Sequence, residues 1–459
     1  MESPEVLSSP VVVDWQMMVA VAVFVTAYVV IAWERLGIHK TIAALFGAAV
    51  VLVLGIVRWD EAAHGTEQVE GVDWNTIFLL VGMMIIVGIT KETGIFQYLA
   101  IRAAKMARGR PIPLIILLSA VTALLSAFLD NVTTVLLIAP VTILLAESLE
   151  VDPVPFLVCE ILASNIGGTA TLVGDPPNIM IASTAKFSFL DFIVHLTPVA
   201  LLIFGCYVGM VALFLRKRLR VAEEQRQVMM SFDERRSLTD KPLLVKCGVV
   251  LGITMVGFVV HGFLRLEPAV IALFGAALLL LISRRHPSKY LEEVEWPTIF
   301  FFMGLFIMVS ALVKVGVISF LAHQLIAATH DKVPALAMLI LWFSGFASAI
   351  VDNIPYVATM NPLILEVAQY TYPDVTNIAD LSHLPGVEAI WWSLALGACL
   401  GGNGSVIGAS ANVVVVGIAE KSGYHISFVR FLKYGVGVTF MSLVISTVYI
   451  WLRYIMPHF

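Results

Sequence analysis

Charge is the scarce ingredient of this sequence. Of its 459 residues 13% are Asp, Glu, Lys or Arg against 59% hydrophobic, and mean hydropathy is +0.93. A soluble domain carries about one quarter charged residues, so the composition excludes one and predicts a polytopic membrane protein. Cysteine is scarce as well: Cys159, Cys206, Cys247 and Cys399 all sit in or beside apolar runs without metal-ligand spacing, which points to packing rather than disulfides or a metal set. The opening MESPEVLSSPVVVD lacks the basic region and small-residue cleavage site of a secretory signal, so residues 11–33 are expected to form a retained first span. A nucleotide loop, a His/Cys/Glu zinc set and a Ser/His/Asp series are absent. So is the glycine-x-glycine-Asp form of an intramembrane aspartyl protease, since Asp175 follows Leu-Val-Gly. An enzyme is therefore not expected, nor a metal or other cofactor. Lys and Arg lie in short clusters between apolar runs and the net charge is −5, so no nucleic-acid partner is expected either.

What is present is a series of apolar runs about 20 residues long, the length a hydrocarbon core requires. They fall at 11–33, 38–58, 74–93, 156–187, 190–215, 243–263, 267–283, 296–314, 390–419 and 427–452, with two further segments, 112–146 and 334–369, that read as either short span pairs or hairpins that dip in and return. Arg35 and Lys40, the cluster from Arg102 to Arg110, RKRLR at 216–220, and Arg284, Arg285 and Lys289 all fall on one side, while the acidic DEAAHGTEQVEGVD falls on the other. The excess of basic residues marks the cytoplasm, which places both termini outside, in what is expected to be a bacterial inner membrane. Residues 216–242 read as a solvated cytoplasmic linker between residues 1–215 and 243–459.

Those two halves repeat. WNTIFLLVGMMIIVGITKETGIFQYLA from 74 matches WPTIFFFMGLFIMVSALVKVGVISFLA from 296 at an offset of 222, and ALFGAA recurs at 44–49 and 272–277. Five crossings per half make the second half enter the membrane from the opposite side, the inverted-topology plan of many secondary transporters. The fold class is thus an all-α polytopic membrane protein of two inverted repeats.

Polar residues cluster twice in each repeat. SAFLDNVTTVLLIAP (126–140) and SAIVDNIPYVATMNP (348–362) place Asp130–Asn131 and Asp352–Asn353 in apolar surroundings at the same offset of 222. SNIGGTATLVGDPPN (164–178) and LGGNGSVIGASAN (400–412) align Gly167, Gly168, Gly174 and Asn178 with Gly401, Gly402, Gly408 and Asn412 at an offset of 234. Each glycine costs a helix about 1 kcal/mol relative to alanine, and Pro176 and Pro177 remove donors, so both segments are expected to unwind inside the membrane. Unwound backbone there must line a protein or water-filled site. Its free carbonyls, with Thr169, Thr171, Asn403 and Ser405, suit a hard cation or a small oxyanion. Each Asp is a candidate N-cap, and each, when buried, is also a candidate proton carrier. Asp175 has the same two readings. Lys91 and Lys314 at span ends are explained by snorkelling, and His195, His261 and His323 by interface anchoring.

The motifs DNVTTVLLIAP, SNIGGTATLVGDPPNIMIAS, VDNIPYVATMNPLI and GGNGSVIGASANVVVVGIA resemble those of the ion transporter superfamily, in the branch of arsenite permeases, NhaD-type sodium/proton antiporters and the melanosomal P protein. The resemblance covers nearly the whole chain and implies that 112–146 and 334–369 are re-entrant hairpins and that 156–187 and 390–419 are discontinuous helices. Carried over by position, Asp130, Asn131, Thr133, Gly168, Thr169, Thr171 and Asn178 form one half-site, and Asp352, Asn353, Gly402, Asn403, Gly404, Ser405 and Asn412 the other. It further implies a homodimer with a moving transport domain. The carboxylate-transporting branch has Ser-Asn-Thr at both tips; Asp-Asn here argues against a sodium/dicarboxylate symporter, and a passive anion channel fits the broken helices less well. The expected function is proton-coupled efflux of arsenite or antimonite, with Asp130 and Asp352 as proton carriers, and a sodium/proton antiporter as the alternative. Cys159 and Cys399, on the helices leading into the breaks, are candidate soft ligands for arsenic(III). A soluble ATPase partner is not readable from the sequence.

Overall fold

A computed structural model of the chain describes residues 14–32, 37–66, 71–215, 221–329 and 332–457. The RKRLR cluster, Arg35 and residues 67–70 of the acidic loop lie outside these. All regular structure among the described residues is helical. Among the described residues seven helices are long and apolar enough to cross a membrane, from Trp74–Lys91 to Phe428–Ile455, and shorter apolar helices such as Lys40–Val53 and Pro268–Ser283 accompany them. Breaks fall where the chain chemistry demands them. Proline occupies the first turn of the helices beginning at Pro111, Pro176, Pro268 and Pro385, where its missing N–H has no helical partner to lose.

The chain forms two compact units, and both halves of the sequence contribute to each. The first comprises Met1–Asp73, Trp296–Lys332 and Ala358–Asp374; the second comprises Trp74–Glu295, Val333–Val357 and Val375–Phe459. In the first unit the Lys40–Val53 helix packs along Trp296–Lys314, so closely that a Cβ at Gly304 would lie 2.7 Å from the Ala44 carbonyl carbon. In the second unit Pro268–Ser283 packs along Trp74–Lys91, and a Cβ at Gly82 would lie 2.7 Å from the same atom of Ala272. Gly82 and Gly304 are equivalent in the repeat, as are Ala44 and Ala272. The duplicated sequence is therefore a duplicated helix contact.

Three expectations change in detail. The linker is not a bare tether: it folds into the helix Glu223–Met230 and a short 3-10 turn at Glu234–Ser237. Met229 is fully buried, and Glu234 is held by Lys105 at 2.6 Å and Arg102 at 3.2 Å. These cations, Lys105 foremost, hold the Glu234 carboxyl down at about 2. Lys91 and Lys314, read as snorkelling, are also ion-paired, to Glu293 at 3.0 Å and to Glu61 at 2.5 Å. His195 does more than anchor: it stacks on Trp392 and pairs with Glu388 at 3.4 Å.

Candidate functional site

All the candidate residues from both halves lie in the second unit. The first Asp-Asn segment separates the helices Pro111–Ser126 and Asn131–Ser148, and the second separates Val333–Ile350 and Asn353–Thr371. The first glycine-rich segment separates Val154–Gly168 from Pro176–Ala185; the second, with a 3-10 turn at Gly402–Gly404, separates Pro385–Gly401 from Ser410–Lys421. Both helices of the glycine-rich pairs are thus interrupted where the sequence requires.

The breaks are built alike, bond for bond. Ser126 donates to the Ser164 carbonyl at 2.7 Å and its equivalent Ser348 to the Ala398 carbonyl at 2.6 Å. The Thr171 hydroxyl donates to Ala127 O, and Ser405 to Ala349 O at 2.5 Å. Asn178 spans its break by donating to Thr171 O at 2.9 Å and Gly168 O at 3.4 Å, with Thr169 O at 3.2 Å in addition; Asn412 donates to the equivalent Ser405 O at 2.8 Å and Gly402 O at 2.7 Å. Two amide side chains thus tie off carbonyls that the unwound backbone leaves without helical donors. Glycine is needed because backbone crosses backbone here: a Cβ on Gly168 would fall 2.6 Å from Gly174 O.

Three carboxylates converge on this frame. Asp130 caps its helix as expected, Oδ1 accepting from the N–H groups of Val132 at 2.9 Å and Thr133 at 3.0 Å. Its backbone sits at φ 136°, ψ 154°, a region that costs a non-glycine residue about 1–3 kcal/mol and that surrounding structure must impose. Asp352 also caps, accepting from Ile354 N–H at 3.2 Å, and takes the Ser410 hydroxyl on Oδ2 at 2.7 Å. Asp175 occupies the N-cap position of Pro176–Ala185 but makes no capping bond. Its two oxygens instead face Asn353 Nδ2, each at 3.3 Å. That geometry removes the capping explanation for Asp175 and couples the two halves. Asp130 and Asp352 each keep 7% exposure, whereas Asp175 is fully enclosed.

Asn165, not singled out by the sequence, ties the halves together. It accepts from Asn131 Nδ2 at 3.2 Å and donates to both Asn403 Oδ1 and Asn412 Oδ1 at 3.0 Å. Its equivalent in the other repeat is Cys399, whose Sγ lies 3.4 Å from Asn178 Oδ1. Comparing the repeats therefore hid it, because an asparagine stands opposite a cysteine. Ser410, opposite Pro176, was missed for the same reason. Glu160 was missed outright: it is buried in the apolar Val154–Gly168 helix, accepts from Thr142 at 2.5 Å, and its Oε2 has no partner among the described residues. A lone acid in VPFLVCEILASN was the available signal. Gly404 packs on Ala349. Cys159 is placed apart from the break, at the level where Tyr207 donates to its carbonyl, so the two candidate thiols take up different surroundings.

The segments 126–140, 154–185, 348–362 and 385–419 contain no Lys, Arg or His. What they supply is carboxylate, amide, hydroxyl and carbonyl oxygen, and buried Asn131 Oδ1 is an acceptor without a partner among the described residues. Paired broken helices holding polar groups within an apolar helical protein define a membrane transporter. A family model described as "Citrate transporter" (CitMHS) matches residues 28–397, and the chain belongs to that family. It is 48% identical over 438 residues to the uncharacterized transporter Rv2684 of Mycobacterium tuberculosis, covering 95% of this chain and 98% of that one. It is 33% identical over 519 residues to the human P protein, covering 95% of this chain and 60% of the P protein. The crystal structure of the Alcanivorax borkumensis YdaH transporter shares the fold, with a TM-score of 0.57 at 13% identity, covering 96% of this chain and 98% of that one.

Proposed function

We propose that the chain is a proton-coupled secondary transporter that exchanges protons for a small cation, sodium being the first choice. The observation that carries this is the donor set. Asp130, Asp175 and Asp352 lie among carbonyl, amide and hydroxyl oxygens in four segments free of any cationic side chain. Such a set matches a hard cation, and buried carboxylates without a cation are stable only when protonated. Cation binding and proton loss at Asp130 and Asp352 are then the same event seen from two sides. The reading extends to an elevator-type movement in a homodimer with both termini outside.

Citrate, the substrate in the family's description, is a poor fit as a free trianion, because three carboxylates would face three more; it would need an accompanying cation. Arsenite or antimonite export is the second reading. It is favoured by Cys399, which sets a soft sulfur against Asn178 at the break.

The test is a pH-probe assay in proteoliposomes with an acidic lumen, adding Na⁺, Li⁺, arsenite or citrate outside, with Asp130→Asn as control. Alkali cations alone should drive proton efflux from wild-type vesicles. A response to arsenite alone, lost in Cys399→Ser, would replace this reading with the second, and a response to citrate alone would replace both.

A further inference from the structure

Beyond the breaks, the second unit contains a cavity of 280 Å³ at the ends of four helices. Its walls include Leu172, Ile179 and Phe187 from the first broken helix and the residues after it, and Asn75 and Leu266 from their neighbours. Lys186 and Arg265 line it as well. They are the C-caps of Pro176–Ala185 and Lys241–Leu264, both in left-handed conformation at φ 59° and 52°. A cation at a helix C-terminus complements the helix carbonyls, which accounts for either residue singly. It does not account for both side chains opening on one cavity, or for those side chains' lack of a hydrogen-bond or ion-pair partner among the described residues.

The other polar groups around the cavity are committed or outnumbered. His261 Nε2 accepts from Phe189 N–H at 3.1 Å while Nδ1 lies 3.1 Å from the Leu266 carbonyl, so both ring nitrogens are taken. Asn75 Oδ1 accepts from Ala269 N–H at 3.0 Å. Glu267 is the one acid in the lining, set against two cations. The cavity therefore presents net positive charge over an apolar floor.

The surface beside it says which anion. Val256, Val259 and Phe263 on the Lys241–Leu264 helix are 63%, 40% and 85% exposed, and Val270 and Phe274 on the next helix 51% and 61%. In a membrane such residues face acyl chains, and Phe263 adjoins the cavity residue Gly262. Charge asymmetry assigns this end to the outside. We propose that the cavity is a binding site for an anionic phospholipid, with its phosphate between Lys186 and Arg265 and its chains along the exposed apolar stripe, as basic pockets between membrane helices take acidic headgroups. Because Leu172 lies within the break at 169–175 and Ile179 in the helix that follows it, an occupied cavity restrains the first broken helix. The site does not depend on which substrate is carried.

The experiment uses the full chain purified in detergent, its unfolding followed by tryptophan fluorescence while phosphatidylglycerol, phosphatidylcholine or inorganic phosphate is titrated in. Phosphatidylglycerol should raise the melting temperature saturably. Lys186→Gln/Arg265→Gln, which should melt only slightly below wild type without lipid because it loses two helix C-terminal cations, should need about thirtyfold more lipid, the scale expected from two lost surface cations. An equal response to phosphatidylcholine, or a double variant responding like wild type, would overturn the site. A full response to inorganic phosphate would overturn the lipid assignment. If the double variant misfolds, Lys186→Gln alone should show a smaller weakening, and no weakening in it would count equally against the proposal.

Discussion

In the first half of the chain, the break at 169–175 holds Asp175 and follows a helix that carries Glu160 and Asn165. In the second half the corresponding positions, 409, 394 and 399, are alanine, leucine and cysteine. The backbone bonds that shape the two breaks are nevertheless equivalent, from the Ser126 and Ser348 hydroxyls to the Asn178 and Asn412 amides. The comparison separates two jobs. Glycine, asparagine and hydroxyl residues build a break and recur in both halves, while the extra acids that equip a break occur in one. The second half contributes Asp352, and lends Asn353 to Asp175 across the repeat.

The strongest way to break this comparison is at the acids. Asp130→Asn and Asp175→Asn should each lower proton-coupled flux about a hundredfold or more, the scale of losing a proton-transfer group, as read by the vesicle pH probe. Ala409→Asp should not restore Asp175→Ala, because Asn131, the counterpart of Asn353, already donates its amide to Asn165 at 3.2 Å; restored flux would show the halves to be interchangeable. Packing comes next. Gly168→Ala would set a Cβ 2.6 Å from a carbonyl oxygen, whereas at Gly402 the nearest atoms lie at 3.1 Å. We expect the first to cost about 1–3 kcal/mol and the second less, compared by thermal unfolding of the two proteins side by side.

Asn165→Ala should destabilise by about 1–3 kcal/mol, since it strands buried amide groups of Asn131, Asn403 and Asn412. Its equivalent Cys399→Ala should cost under about 1 kcal/mol, as it removes one weak thiol donor. Equal melting shifts would mean that Asn165 is not the tie between the halves. The smallest effect lies outside the breaks. Asp191, 3.7 Å from His383, raises the imidazole to about 9. That pair stabilises fully below about pH 6.5, where the unfolded histidine is also charged, and is lost as pH rises through about 9. Because His383 is half exposed, the contribution is small. His383→Gln should therefore melt slightly lower than wild type at pH 6 and match it at pH 10; a constant difference across that range would exclude the ion pair as its source.

Much of this was legible in the sequence, for reasons that differ by residue. Gly167, Gly168, Gly401 and Gly402 announced the breaks because only a close backbone crossing justifies such glycine density in a helix, and the crossing at Gly174 and Gly408 is what the structure contains. Asp130 and Asp352 stood out as caps in apolar runs and are caps. Asn165 and Ser410 were obscured because their functions are not duplicated, and the repeat was the instrument of the reading. Glu160 went unnoticed because its partner Thr142 comes from a different helix, which no local pattern reveals. The ion pairs of Lys91 and Lys314 were invisible for the same reason: Glu293 and Glu61 lie 202 and 253 residues away.

The central claim, that protons and a small cation compete for the same aspartates, is tested most directly by measuring Na⁺-driven proton efflux from vesicles containing wild-type protein and Asp130→Asn in parallel. Efflux should rise with external Na⁺ in the wild type and vanish in the variant while the protein remains folded. Efflux of the same size from Asp130→Asn, or a wild type that ignores Na⁺ and Li⁺ altogether, would contradict it.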